Sequence, residues 1–426
     1  MTTVAVPAAA DVLGGFWTKA RRMGAVFTAL GVLGTVVFGA LASSTVDARF
    51  LLTENLEGAD LVIPGKAGAI GFGLVCVAAG VTMLVGVAER WFPWLLGVAI
   101  VSLVMSFLCW QLSTARPGLN FLPLVDVVRG SFTAAIPLIL GALAGVLCER
   151  SGVINVAIEG HFLVGAFAGA LVATIAASVW AGILAAAVAG LLLALLLAVL
   201  AIRYLVDQVV LGVVLNLLAL GLTGFLYEEI MKADQDAYNN PPQVTNWSIP
   251  LLSKIPIIGP ALFTEDFFLY FALLLVVVIH IGLFRTRWGL RVRAVGEHPT
   301  AADTVGVRVR LVRYRNVLLA GIVAGVGGAS FTLALAGTFN KNMTAGKGFI
   351  ALAALIFGRW SPIGALLAAL LFGFADKLAG YLQNIGSVIP SEFLAMLPYL
   401  ATIFAVAGLV GRVRAPAADG KPYVKG

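Results

Sequence analysis

Charge is what this chain has least of. Only 12% of its 426 residues are Asp, Glu, Lys or Arg, against 61% hydrophobic, and the mean hydropathy is +1.02. Soluble domains carry about 25% charged residues, so a water-exposed globule is excluded and the polytopic membrane class is indicated. Histidine and cysteine are nearly missing as well. His161, His280 and His298 stand far apart, and Cys76, Cys109 and Cys148 fall in or at the ends of apolar runs. Neither set has the spacing of a zinc site or a disulfide framework. No G-x-x-x-x-G-K-[ST] occurs, since "AGKGF" at 345–349 lacks both the first glycine spacing and the Ser/Thr. The chain is therefore expected to hold no nucleotide through a P-loop, no metal and no cofactor of its own. Its net charge of +7 is spread over loops and reads as topology, with no nucleic-acid partner.

What is present is hydrophobic length. A membrane helix needs about 20 mostly apolar residues. That rule places spans near 23–43, 66–88, 92–113, 132–148, 153–176, 179–202, 208–230, 266–284, 316–338, 346–358, 362–379 and 394–411. The expected fold class is an all-α polytopic membrane protein of about twelve spans. Segment 346–358 is short and reads as a half-helix or re-entrant piece, which requires protein or water to satisfy its backbone. Lys19, Arg21 and Arg22 precede an apolar run ending "GALASS". Its length is nearer a full span than a signal-peptide h-region, so it is read as an uncleaved first helix.

Most of the 28 lysines and arginines fall in loops on the side of the N-terminus. By the positive-inside rule both termini and the loop 285–315 are expected in the cytoplasm, and the Pro- and Asn-rich loop beginning "MKADQDAYNNPP" outside. Gly165 and Gly169, like Gly321 and Gly325, are spaced to share one helix face, where small residues admit close helix packing or a moving seam.

The loop 285–315 carries eight arginines around "AVGEHPTAADTVGVRV". Pro299 suits the first turn of a short helix after the polar Glu297–His298 start, and Gly306 suits its end at positive φ. Ala301, Ala302 and Val305, with Thr300 and Asp303 beside them, predict a small flat face that could seat in a groove of a soluble partner. Anchoring of the arginines to anionic lipid is the alternative.

Three ordered segments carry a family resemblance. "GVLCERSGVINVAIEGHFLVGAFAGA" resembles the E-R-S-G-V-x-N-x-x-x-E-G-x signature of permeases in the ribose, simple-sugar and nucleoside branch of ATP-binding-cassette (ABC) importers. "AVGEHPTAADTVGVRV" is similar to their A-V-G-E-N-P-x-A-A-x-x-x-G-I loop. "AGTFNKNMTAGKGFIALAALIFGRWSPIGALLAALLFGFAD" resembles the bacterial nucleoside permeases most closely. His161 stands where that family commonly has Met, and His298 where it commonly has Asn.

The resemblance covers most of residues 130–426 and implies a type II-like importer permease core of about 8–10 helices. Expected divisions are a cytoplasmic tail 1–22, an N-terminal transmembrane extension 23–125 of about three helices, a core 126–411 containing the coupling loop 285–315, and a cytoplasmic tail 412–426. Such a subunit is not an enzyme. The implied partners are a cassette ATPase that binds the ATP and Mg, a second homologous permease giving a heterodimer, an extracellular substrate-binding lipoprotein and membrane lipid. Nucleosides are the implied cargo, ribose or another simple sugar the alternative. Residues 297–303 and Gly306 take the ATPase-coupling role. An ion- or proton-coupled secondary transporter is the rival class, but it calls for several intramembrane carboxylates or histidines, and chiefly Glu159 is present.

Candidate pathway residues follow. Glu159 lies inside a span with Asn155 at i,i+4; it is either functional or a structural carboxylate capping a broken helix. Asn216, the strongly polar residue at mid-span in its helix, suits a ribose hydroxyl or another helix. Phe331, Asn340, Asn342 and Thr344 lead into 346–358. There a half-helix N-terminus with Gly346 and Gly348 could aim backbone N–H groups at a solute, or the stretch is a plain extracellular turn. Asp376 and Lys377 read as a local pair at a helix end.

Overall fold

Apolar runs become helices because only a helix satisfies its whole backbone internally in lipid. The computed structural model describes residues 18–52, 60–86, 90–255, 258–387, 389–396 and 414–425. Among them are 10 helices long and apolar enough to cross a membrane. In chain order the helices used below are α1 (Ala20–Leu41), α2 (Gly65–Val85), α3 (Phe92–Ser113), α4 (Leu124–Glu149), α5 (Ile158–Ile175), α6 (Val179–Arg203), α7 (Gln208–Met231) and α8 (Phe267–Arg285). Two short helices follow, α9 (Arg287–Glu297) and α10 (Pro299–Thr304). Then come α11 (Val309–Ala336), the half-length α12 (Lys347–Phe357) and α13 (Pro362–Asn384). The expected tail 1–22 lies outside the described residues up to 17. The expected span 394–411 and the start of the tail 412–426 lie outside them from 397 to 413.

Contacts divide the chain into two units, residues 1–127 with 378–411, and residues 128–377 with 412–426. In the first, α1, α2 and α3 enclose Met23, Phe27, Cys76, Ala79, Met83 and Ala99. A Cβ at Gly31 would come within 2.7 Å of the Val77 nitrogen, so α1 and α2 are as close as backbones allow. Three short strands accompany them: β1 (Asp47–Leu51), β2 (Asp60–Pro64) and β3 (Phe121–Pro123). β1 lies centrally, antiparallel to β2 and parallel to β3. Hydropathy gives no sign of this sheet, whose strands are shorter than a span.

The second unit is built around α4 and α11, the most enclosed of the long helices. Three local features move the expected span boundaries. α4 begins at Leu124, where 132 was expected, because Arg129 does not end it: its Nε lies 2.9 Å from Oε1 of Glu265. α5 begins at Ile158, later than expected, because Gly152 turns the chain at φ +86°. α11 extends back to Val309, so its arginine-bearing first turns are helical too. The α5–α6–α11 seam is lined by glycine. A Cβ at Gly165 would overlap the carbonyl oxygen of Gly325, one at Gly190 that of Gly321, and one at Gly325 that of Ala186. Both expected glycine pairs thus serve helix packing.

The loop 285–315 is mostly helical. Thr286 caps α9 by accepting from the Gly289 amide at 3.2 Å. Pro299 opens α10 at its first position, and Gly306 ends it at φ +86°, as expected.

Candidate functional site

Two arrangements in the second unit gather the candidate residues. The first joins a broken helix to a half-helix. Between α4 and α5 the chain runs without helix through Asn155, so Asn155 does not share a helix face with Glu159 as expected. Its Oδ1 instead accepts from the Ala157 amide at 3.1 Å. Asn216 of α7 holds this break from the side. Its Nδ2 donates to the Val156 carbonyl at 2.9 Å, and its Oδ1 accepts from the Gly160 amide at 2.7 Å. Both ends of the Asn216 amide are thereby used on backbone. The neighbouring His161 is fully buried and its Nδ1 lies 2.6 Å from the Ala157 carbonyl oxygen, a local contact within its own turn.

Glu159 falls in the first turn of α5, at a helix start where a place inside a span was expected. The chain crosses toward it again at α12. Oε1 of Glu159 accepts from Thr344 Oγ1 at 2.6 Å and from the Gly346 amide at 2.8 Å, and Oε2 accepts from the Gly348 amide at 2.6 Å. A helix N-terminus presents unpaired amides and a positive dipole end, and here a carboxylate supplied by another helix answers both. The expectation that these amides face a solute is corrected: Glu159 occupies them. Gly346 takes φ +81°, and a Cβ at Gly348 would overlap the Glu159 backbone. Glycine at 348 is a requirement of close approach.

The remaining pathway candidates separate. Phe331 is buried, its ring 5.6 Å from that of Phe162 and tilted to it, so it packs within the core. Thr344 is fully buried, while Asn340 and Asn342 lie on the exposed turn before it. Asp376 pairs with Lys347, at 3.1 Å, where a pair with Lys377 was expected.

The second arrangement brackets α9 and α10. Thr300, Ala301, Val305 and Gly306 are exposed, as are Glu297 and His298; Pro299 and Asp303 are half-exposed. Ala302 departs from the expected flat face. It is only 4% exposed and packs with Val295, Val309 and Tyr423. What covers it is the tail 414–425, a segment that motif reading missed. Ala418 N donates to the Gly296 carbonyl at 2.8 Å, Ala417 N to Oε2 of Glu297 at 3.2 Å, and Arg313 Nη1 to the Lys421 carbonyl at 3.0 Å. Asp419 is set close to Glu149 at the end of α4. Burial pushes the Asp419 carboxyl up to about 7. Trp360 Nε1 also donates to Glu149, at 2.5 Å. The tail thus ties α10, α11 and the α4 end together, and the Glu-Arg-Ser-Gly stretch 149–152 is its floor. No group of His, Cys, Asp and Glu able to hold a metal occurs among the described residues.

Comparison with known proteins places this architecture. Residues 127–407 match the family described as branched-chain amino acid transport system / permease component. The guanosine ABC transporter permease protein NupQ of Bacillus subtilis is 44% identical over 70% of this chain and 97% of its own length. The nucleoside ABC transporter permease protein NupC of Lactococcus lactis is 41% identical over 70% of this chain and 96% of its own. A putative glucose ABC transporter permease protein of Haloferax volcanii, TsgC13, is 33% identical over 65% of this chain and 89% of its own. No solved structure matches the chain. With ten apolar helices among the described residues and a family match over residues 127–407, this chain is a multi-pass membrane transport component belonging to the branched-chain amino acid transport system / permease component family.

Proposed function

We propose that this chain is the permease subunit of an ATP-driven ABC importer of nucleosides. The observation that carries the reading is identity of 44% and 41% to permeases named for guanosine and nucleosides, along 97% and 96% of their lengths. A simple sugar is the second reading, favoured by the 33% identity to a permease named for glucose. Both termini and α9–α10 face the cytoplasm. A cassette ATPase there binds ATP and Mg, a second homologous permease completes the pathway, and an external binding lipoprotein delivers the cargo. The N-terminal extension 23–125 is an addition to the core 126–411.

The physical path of the push runs through rigid parts. The ATPase presses on the exposed face of α10 formed by Ala301 and Val305. The tail and the turn at Gly306 pass that displacement to α11. The glycine seam of α11 with α5 and α6 leaves no slack, since backbones already touch there. α5 then carries α12 with it through the Glu159 carboxylate. Alternating access is the relative movement of this block, and the external binding protein supplies most of the selectivity.

The test is reconstitution with the candidate ATPase, second permease and binding lipoprotein, followed by ATP-dependent uptake of labelled guanosine, other nucleosides, ribose and glucose. Guanosine uptake that requires ATP and all subunits supports the reading. Uptake of glucose alone replaces the cargo, and uptake that persists without ATP replaces the mechanism.

A further inference from the structure

The α12–α13 face carries an ion pair that neither arrangement above uses. Lys347 Nζ lies 3.1 Å from Asp376 Oδ2, with the two side chains 29% and 51% exposed. Its depth can be read against α4 as a ruler. A Cβ at Gly141 would lie 2.8 Å from the Ala351 side chain, and one at Gly145 would lie 2.7 Å from that of Leu355. α12 therefore runs parallel to α4, and its first residue, Lys347, comes level with Pro137. That proline stands near the middle of the 26-residue helix. On α13, a Cβ at Gly373 would lie 2.9 Å from the Ala135 side chain, and Gly130 is against Lys377. Asp376 is thus level with Ser131, about 9 Å along the axis from Pro137 at about 1.5 Å per residue. Half the hydrocarbon thickness is about 15 Å, so with α4 centred in the bilayer both charges lie within it.

A charge facing hydrocarbon there is strongly disfavoured, so this face meets water or protein in the assembled importer. The pair also has unused capacity. One ammonium hydrogen goes to Oδ2, and among the described residues Oδ1 of Asp376 accepts no hydrogen bond.

We propose that the Lys347–Asp376 pair lines the water-filled solute pathway and is a contact point for a neutral, hydroxyl-bearing solute, with Asp376 Oδ1 accepting from a hydroxyl and the Lys347 ammonium donating to a ring or sugar oxygen. The site rests on the importer reading above, and a nucleoside has both the hydroxyl donors and the ring oxygen that this pair suits. Its charges are matched to each other, so it offers polar contact without holding a net charge for an ion to neutralise.

The experiment uses the reconstituted importer carrying Asp376→Cys or, separately, Lys347→Cys. A membrane-impermeant, water-soluble methanethiosulfonate reagent is the probe. The native Cys76, Cys109 and Cys148 are buried, and the unsubstituted importer gives the background. Modification of at least one introduced cysteine, slowed severalfold by saturating guanosine, is the expected result. In parallel, Asp376→Asn should raise the KM for guanosine uptake about tenfold, the loss of one charge-assisted hydrogen bond, with assembly of all subunits verified by size-exclusion chromatography. No modification of either cysteine in an assembled complex, with or without ATP, overturns the proposal: the pair is then sealed against the second permease. Modification that solute does not slow, with KM unchanged, overturns it too, leaving a wet crevice without solute contact. Protection by glucose in place of guanosine keeps the pathway site and removes the nucleoside reading.

Discussion

The amide of Gly348 donates to Oε2 of Glu159 at 2.6 Å across 189 positions of sequence. This bond, with those of Thr344 and Gly346, makes the start of α12 dependent on α5. Glu159→Gln keeps the shape but turns an amide group toward backbone amides, where like donors meet. Buried loss of this kind costs about 2–3 kcal/mol. We expect a lowered unfolding temperature in detergent and uptake reduced at least about tenfold. Thr344→Val removes one donor only, and its loss should be about 1 kcal/mol. Equal effects from the two substitutions would refute the charged-cap assignment.

Surface and seat of α10 should separate by mutation. Val305 is 78% exposed, so Val305→Asp is expected to leave folding unchanged and to weaken ATPase attachment, read as co-purification of the ATPase and ATP-dependent uptake. Ala302→Glu forces a charge into the pocket it shares with Tyr423 and Val309. It should expose the tail 414–425 to protease as well as reduce uptake. Identical protease patterns in the two variants would contradict this division.

The tail should respond to pH. Burial raises the Asp419 carboxyl to about 7, above its value of about 3.9 in an unfolded chain. The docked tail therefore binds more protons than the released one between those values. Its stabilisation is fully present below about 4 and is lost as pH rises through about 7. Amide hydrogen exchange of residues 414–425, corrected for its intrinsic pH dependence, should show weaker protection at pH 8.5 than at pH 5.5. Asp419→Asn should flatten that difference, and a tail more protected at the higher pH would reverse the sign.

Glycines on the two kinds of helix face should differ sharply. A Cβ at Gly325 overlaps the Ala186 carbonyl, whereas one at Gly221 has nothing within 4 Å. Gly325→Ala should cost about 1–3 kcal/mol by overpacking and cut membrane expression, while Gly221→Ala should be neutral in the same thermal unfolding assay.

Much of this was legible in one dimension. Hydropathy located the long helices, length alone marked 346–358 as a half-helix, and Pro299 with Gly306 bounded α10. Each of these signals is local. Illegible were relationships whose two sides are far apart in sequence. Glu159 carries no mark of the amides it caps, and Asn216 looks polar and available until Val156 and Gly160 take both its atoms. Ala302 belongs to a small-residue face in sequence, yet Tyr423 covers it. Asp376 found its partner on another helix because a helix neighbour at i+1 points away from it. Arg129 did not end its helix because Glu265 pairs with it.

The tail that seats α10 also imposes an order on manufacture. Arg313 and the Lys421 carbonyl it holds are 108 residues apart, and residues 414–425 follow α13 and every other membrane helix described here. A ribosome delivers Pro299–Thr304 long before the segment that braces it. During that interval the nascent chain holds α10 without Tyr423 packed near Ala302. The short helix therefore acquires its full packing late in synthesis, after the membrane helices described here have been made.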